Sequence, residues 1–223
     1  MITISDALKE WLVTTPFVEE ALARDILNLS ALARELRPML EKRLVKDLTD
    51  AAVMMTLKRL KEGAAQQRQD LARSLRGVGN LTVRSGLGEL TFRRSESIYL
   101  CQKRLLESLE QDDEAFVTFT QGVKEMTIVI SEKHLATARE AYQGQKLINE
   151  VCDLSAITIR LDESIIFTPG IHYSLLKPLA WSGINIVEVV STFSELTIIL
   201  ASAQVDQSFS LLLKLLNQPM TRS

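Results

Sequence analysis

The sequence predicts an α+β chain: an N-terminal helical stretch followed by two copies of one β-α-β-β-α unit. Three observations carry this reading. First, the segment 113–135 returns at 183–205 with a constant offset of 70 residues. Glu125-Met126-Thr127-Ile128-Val129-Ile130 falls on Glu195-Leu196-Thr197-Ile198-Ile199-Leu200, and Leu105, Leu106 and Leu109 fall on Leu175, Leu176 and Leu179. A fixed period of this kind marks structural units stacked in tandem. Second, apolar residues recur at helical spacing up to about Gly79 and alternate as strands beyond it. Third, 223 residues at 46% apolar content suffice for two or three small cores.

The elements follow in order. Ser5 is placed to cap a helix carrying Leu8, Trp11 and Leu12 on one face. Thr15-Pro16 offers a cap followed by proline at the first helical position, and Phe17, Ala21, Leu22 and Ile26 supply the stripe of the second helix. Ser30 caps a third helix through Leu32, Ala33 and Leu36, which Pro38 interrupts or restarts. Asp47 or Thr49 opens a fourth, with Val53, Leu57 and Leu60 inward. Residues 64–76 are rich in Ala, Gln and Arg, and read either as an exposed connecting helix or as a flexible linker. A boundary is expected near Gly77-Val78-Gly79, where the composition changes.

Strands follow. Residues 81–84 and 87–92 alternate about Ser85-Gly86, which reads as a hairpin turn. Ser95 caps a helix through Leu100, Leu105, Leu106 and Leu109, then strands are expected at 116–120 and 126–130. Ser131 caps a helix with Leu135, Ala138 and Tyr142 on one side. The second copy gives a strand at 156–161, a helix at 169–181, a hairpin of 184–190 with 196–200, and a closing helix at 205–216. The expected domains are therefore a helical one at 1–62, a helical linker at 63–79, and repeats at 80–150 and 151–223.

A β-α-β-β-α unit completed by one more strand is a ferredoxin-like sandwich. No strand follows the last helix, yet an additional one precedes the first repeat at 81–84. That strand is expected to complete the second repeat's sheet and lock both repeats into one body.

Composition excludes several functions. The formal charge of −2 argues neither for nucleic acid nor for an anionic membrane. Between Arg34 and Arg76, eleven Lys/Arg stand against six Asp/Glu, a local basic excess. No apolar run spans a bilayer, and the N-terminus lacks the pattern of a signal peptide, so a soluble cytoplasmic protein is expected. Cys101 and Cys152 read as two reduced core thiols. Catalytic signatures are absent: Gly86-Leu87-Gly88 lacks a third glycine (Thr91 stands there), and no phosphate loop, HExxH or Gly-x-Ser-x-Gly occurs. The two histidines, His134 and His172, lie in unrelated segments. Neither an enzyme nor a bound metal or cofactor is expected.

The run Thr168-Pro169-Gly170-Ile171, Leu175-Leu176-Lys177-Pro178-Leu179-Ala180, Gly183-Ile184-Asn185-Ile186 and Val189-Val190-Ser191-Thr192-Phe193-Ser194-Glu195-Leu196-Thr197 resembles an ACT domain. It is most similar in character to the paired ACT domains that regulate aspartate kinases. The resemblance covers roughly 80–217 and is weaker in the first copy. It implies a regulatory site for an amino acid or similar metabolite between ACT units, a homodimer, and no catalysis.

The residues fit such a site. Pro169 suits a first helical turn, and the amides of Gly170, Ile171 and His172 would face a carboxylate at the helix start. Asp162 and Glu163 are acceptors for an ammonium group, and Thr168 lies in the same loop. Asn185 opens the neighbouring strand and offers side-chain amide contacts, and Ser191 and Thr192 end that strand and offer the same from a partner unit. His134 and His172 also fit plain surface or capping roles. The first repeat instead carries Arg93-Arg94-Ser95-Glu96-Ser97, which suits a different anion or a shared interface.

The helical region has a helix-turn-helix flavour, with Asn28 to Arg34 as positioning helix and Ala51 to Lys61 as recognition helix. Lys58, Arg59 and Lys61 provide charge for nucleic acid, whereas Val53-Met54-Met55-Thr56 offers little base-reading chemistry. Three functions stay open: a metabolite-binding regulator that relays occupancy to a protein partner, an amino-acid-responsive transcriptional regulator, and a detached regulatory subunit of an amino-acid-pathway enzyme such as aspartate kinase.

Overall fold

Thr3, rather than Ser5, caps the first helix of the computed structural model, α1 (Ile4–Thr14). Its hydroxyl accepts from the Asp6 amide while the Asp6 carboxylate accepts from the Thr3 amide, closing a capping box. The structure describes residues 2–15, 17–75 and 78–217, apart from the side chains of Gln67, Arg68 and Ser164. Pro16 therefore lies outside the described residues, and α2 (Val18–Ala23) begins after a left-handed Phe17 at φ 74°. Asn28 takes the capping role expected of Ser30 in α3 (Leu29–Leu44), its Oδ1 accepting from the Ser30 and Ala31 amides. Pro38 does not interrupt this helix. The bond it cannot donate belongs to the Arg34 carbonyl, and both residues are exposed, so water can satisfy that group.

Thr49 opens α4 (Asp50–Ser74), its Oγ1 accepting from the Ala52 amide. The helix continues through the Ala/Gln/Arg-rich stretch as far as Ser74, which answers the choice between helix and flexible linker over that span. Ala7, Leu8, Ala33, Leu36, Leu40, Leu48, Val53 and Leu57 form the core of this body, Met1–Ser74. The second body is Leu75–Ser223; Gly77 of the expected boundary lies outside the described residues, and Val78 already opens a strand.

In that second body the chain runs β1 (Val78–Arg93), α5 (Ile98–Leu109), β2 (Val117–Gln121), β3 (Glu125–Ser131), α6 (Leu135–Ala141) and β4 (Leu147–Leu161). It continues through α7 (Glu163–Ile166), α8 (Ile171–Trp181), β5 (Glu188–Ser191), β6 (Glu195–Ala201) and α9 (Val205–Leu216). The hairpin expected at Ser85-Gly86 does not form, and β1 is one strand of 16 residues. All six strands join in one antiparallel sheet of order β2-β3-β1-β4-β6-β5.

The two central strands are shared. The later half of β1 pairs with β3 and with residues 147–151 of β4, giving the first repeat its four strands. The earlier half runs beside the later half of β4, with Leu81 opposite Ile159 and Val83 opposite Ile157. Each repeat is thus a ferredoxin-like unit, and each takes its fourth strand from the chain segment that begins the other.

Two bulges make this exchange possible. Register shifts flank Leu87 on β1, and the left-handed residues Gly86 (φ 70°) and Asp153 (φ 56°) stand at equivalent places on β1 and β4. The equivalence extends outward: Thr91 and Thr127 meet hydroxyl to hydroxyl at 3.0 Å, and Thr158 and Thr197 do so at 2.9 Å. Arg93 lies opposite Glu125 as Arg160 lies opposite Glu195.

Helices cover one face. Ile98, Cys101, Leu105 and Leu109 of α5 and Leu135, Ala138 and Ala141 of α6 pack on Leu90, Phe92, Met126, Ile128 and Ile130. In the second repeat Ile171, Leu175, Leu179 and Leu212 are buried along with Ile157, Ile159, Ile198 and Leu200. The far face holds its own cluster of Leu87, Val129, Leu154, Ala156 and Ile199. Glu89, 6% exposed, lies on that face, and burial together with the charge of Glu188 pushes its carboxyl above the usual range. Cys101 is a buried free thiol as expected, whereas Cys152 is exposed and not in a core. No described helix is long and apolar enough to cross a membrane.

Candidate ligand site at the strand–helix loops

The second repeat gathers most of the expected site at one end of its sheet. β4 ends at Leu161, whose amide donates to the Ser194 carbonyl (2.8 Å), and the Thr192 amide donates to the Glu195 carbonyl (2.9 Å), closing the β5–β6 turn. Asp162 and Glu163 follow directly, both exposed. The short α7 then intervenes, and Thr168 donates its amide to the Ile165 carbonyl. Asp162, Glu163, the Thr168–His172 segment, Ser191 and Thr192 therefore share this end.

Pro169 is not in the first helical turn. It lies in the turn before Gly170, which stands at φ 90° as the residue preceding α8 and contributes no side-chain cap. That left-handed backbone is the reason a glycine is needed here. The Ile171 amide points back to the Thr168 carbonyl at 3.5 Å, and its side chain is buried, so of the three amides expected to face an anion this one is turned inward. His172 is exposed. Asn185 is not with the others: it lies three residues before β5 and follows α8. The 11 residues of that helix place it about 16 Å from the loop, at the opposite end of the repeat.

The first repeat builds the same frame with different side chains. The Arg94 amide donates to the Lys124 carbonyl at 2.9 Å, the counterpart of the Leu161–Ser194 bond. Here an open cleft of about 660 Å³ lies between the loop after β1 and the β2–β3 turn, lined by Arg93, Arg94, Glu96, Tyr99, Lys124 and Glu125 among others. The loop is held by Gln145, which accepts from the Ser95 hydroxyl (2.5 Å) and donates to the Ser97 hydroxyl (3.0 Å). Ser95 thus braces the loop instead of capping α5. Arg93 and Arg94 stand out in the sequence and Lys124 and Tyr99 do not, although the offset of 70 residues that sets Lys124 against Ser194 carries the signal for Lys124.

On the helical body, Lys58 and Arg59 are exposed on α4, whereas Lys61 is bound to Asp25 at 2.9 Å. α4 packs against α1, α2 and α3, and its outward face carries Ala51, Met55, Lys58, Arg59 and Glu62. No cluster of His, Cys, Asp and Glu suited to a metal ion occurs among the described residues.

No protein-family model matches the chain, and no curated protein does. Solved structures do match. The regulatory subunit of aspartate kinase from Thermus thermophilus is 14% identical, with a TM-score of 0.50 over 62% of this chain and 97% of that one. Aspartokinase alpha and beta subunits give 12% and 0.53 over 63% of this chain and 99% of that one. The Clostridium acetobutylicum aspartate kinase, described as an allosteric enzyme, gives 12% and 0.53 over 63% of this chain but only 34% of its own length. At these identities the likeness is one of fold: the chain resembles the ACT-type regulatory part of aspartate kinases.

Proposed function

We propose that the chain is a non-catalytic regulatory protein whose sheet body binds an amino acid or similar metabolite and whose helical body relays occupancy to a protein partner. The observation that carries this is the convergence of Asp162, Glu163, the Thr168–Gly170 turn, Ser191 and Thr192 at one end of a sheet fused from two ACT-like units. Carboxylates for an ammonium group and a polar turn for a carboxylate stand within one loop system. Asn185, at the other end of the repeat, is not part of this site; a homodimer with the ligand between protomers belongs to this proposal by resemblance to paired ACT units. Ligand then acts through its differential affinity for two arrangements of the dimer. A detached regulatory subunit differs from this reading only in the identity of the partner. The DNA-reading alternative rests on Lys58 and Arg59, since Lys61 is committed to Asp25.

The test is a thermal-shift screen of the proteinogenic amino acids. A ligand present at a hundred times its Kd adds about 2.7 kcal/mol, or roughly 5–11 °C in Tm for a body of this size. Gly170→Asp and Gly170→Asn are then compared, because both place a side chain of the same size on the φ 90° backbone and only the first adds charge. Loss of the response in Gly170→Asp with retention in Gly170→Asn is expected. A response unchanged in both, or lost in both at equal unliganded Tm, would remove the carboxylate from this turn.

A further inference from the structure

The cleft of the first repeat differs chemically from the loop it mirrors, and the difference is confined to a few positions. Arg93 and Glu125 are register partners across β1 and β3, as Arg160 and Glu195 are across β4 and β6, so this opposed pair belongs to the shared frame. Arg94 and Lys124 occupy the places of Leu161 and Ser194, and their backbones are joined by the same hydrogen bond. Only the first repeat therefore holds two cations side by side at this point.

Among the described residues neither Arg94 nor Lys124 has a side-chain ion pair or hydrogen bond. Other cations of the same repeat are engaged: Lys133 with Asp112, Arg139 with Glu150 and Lys103 with Glu107. Like charges tethered by a backbone bond repel unless an anion lies between them. Tyr99 adds a third donor. Its hydroxyl oxygen already accepts from Gln121 Nε2 at 2.7 Å, which leaves the phenolic proton to donate into the cleft. The cleft, about 660 Å³, has the size of a small-molecule site.

We propose that this cleft binds a small organic dianion, a phosphate monoester or a dicarboxylate, through Arg94, Lys124 and the Tyr99 hydroxyl. Guanidinium provides the paired donors that suit planar or tetrahedral oxyanions, and the lysine adds a point charge. Arg93, Arg94 and Lys124 outnumber Glu96 and Glu125 in the lining by one charge, and Arg94 and Lys124 are the two cations that the second repeat lacks. The site is separate from the amino-acid site of the second repeat, and the proposal stands whether or not that reading holds.

Calorimetric titration of the full chain with glycerol 3-phosphate and with succinate, at matched ionic strength, tests it. At least one titrates saturably and weakens as salt is added, while glycerol and alanine, which lack a net double charge, neither bind here nor compete. The compound that binds more tightly separates the phosphate source from the dicarboxylate source. Arg94→Gln and Lys124→Gln, both exposed, each weaken binding roughly tenfold or more at unchanged unliganded Tm, and Gly170→Asp leaves it intact. Absence of binding by both dianions, full binding in both charge variants, or displacement by alanine would each overturn the proposal. The last would make the cleft a second amino-acid site.

Discussion

Gly88 on β1 offers a sharp test of how the first repeat is packed. It lies on the helix-covered face, where a Cβ would stand 2.6 Å from Leu135 Cδ1, 3.0 Å from Cδ2 and 3.1 Å from Cγ. Leu135 opens α6 and is 5% exposed, so its side chain has little room to retreat. Two effects of Gly88→Ala oppose each other. Its φ is not in the left-handed region, so alanine restricts the unfolded chain and returns about 0.4–1 kcal/mol. Overpacking a filled core costs about 1–3 kcal/mol. The clash wins, and the expected net loss is about 1–2 kcal/mol, a fall of roughly 2–8 °C in the Tm of the sheet body. The second repeat supplies the compensation: Ser155 stands where Gly88 does, and the smaller Val205 opens α9 where Leu135 opens α6. Leu135→Val alone costs about 1 kcal/mol, whereas combined with Gly88→Ala it relieves the clash, for a favourable coupling of about 1 kcal/mol or more. Differential scanning calorimetry of the four proteins measures the cycle. An unchanged or raised Tm for Gly88→Ala, or strict additivity in the double variant, would show that Leu135 moves aside freely and refute the packing argument.

Asp112 accepts from Lys133 Nζ (2.6 Å) and from His134 Nε2 (2.7 Å), and these bonds hold its carboxyl down at about 2. Its stabilising contribution is therefore complete above about pH 4 and drains away as pH falls toward 2. Asp112→Asn is expected to lower Tm at neutral pH and to match the parent near pH 2; a constant difference across that range would exclude the linkage. Glu89 has the opposite sign, because a carboxyl raised by burial and by Glu188 makes the fold less stable as pH rises from about 4.5 through its folded value. Glu89→Gln should raise Tm at neutral pH and flatten that slope, and a lower Tm at neutral pH would show that the charge is wanted there. Finally, a fragment of residues 80–223 should be soluble, whereas one beginning at Leu87 leaves residues 156–161 of β4 paired with β6 on one side and open on the side of β1, and should aggregate. Equal melting and light scattering for the two would mean that residues 81–84 contribute little to the second sheet.

Much of this architecture was legible because it repeats. The offset of 70 residues aligned β3 with β6 and α5 with α8, and the unpaired strand at 81–84 pointed to its role in the second sheet. What escaped was decided by distant partners. Gly86 adopts a left-handed backbone in a bulge as readily as in a hairpin turn, and only pairing with β4 makes it a bulge. Residues 147–151 were not read as strand at all. That half of β4 pairs with β1 alone and is largely exposed, so Leu147-Ile148-Asn149-Glu150-Val151 shows no clean alternation. The helix caps at Thr3 and Asn28 each lie two residues before the expected serines, an error within the ordinary play of helix ends. At the site, sequence order put Asn185 beside its neighbours, whereas an intervening helix carries it to the other end of the repeat.

The exchange of strands also sets an order of events during synthesis. Residues 78–84 leave the ribosome more than 70 residues ahead of the stretch 156–161 that will pair with them. At about 5–20 residues per second, that is a wait of roughly 4–15 s during which the edge has no partner. The composition of the waiting segment suits the delay. Gly79, Asn80, Thr82 and Arg84 alternate with only three apolar residues, Val78, Leu81 and Val83, a pattern too polar to recruit a neighbouring chain readily. A strand that must stay single until its partner is made is kept weak on its own, and it joins the centre of the sheet only once residues 156–161 have emerged.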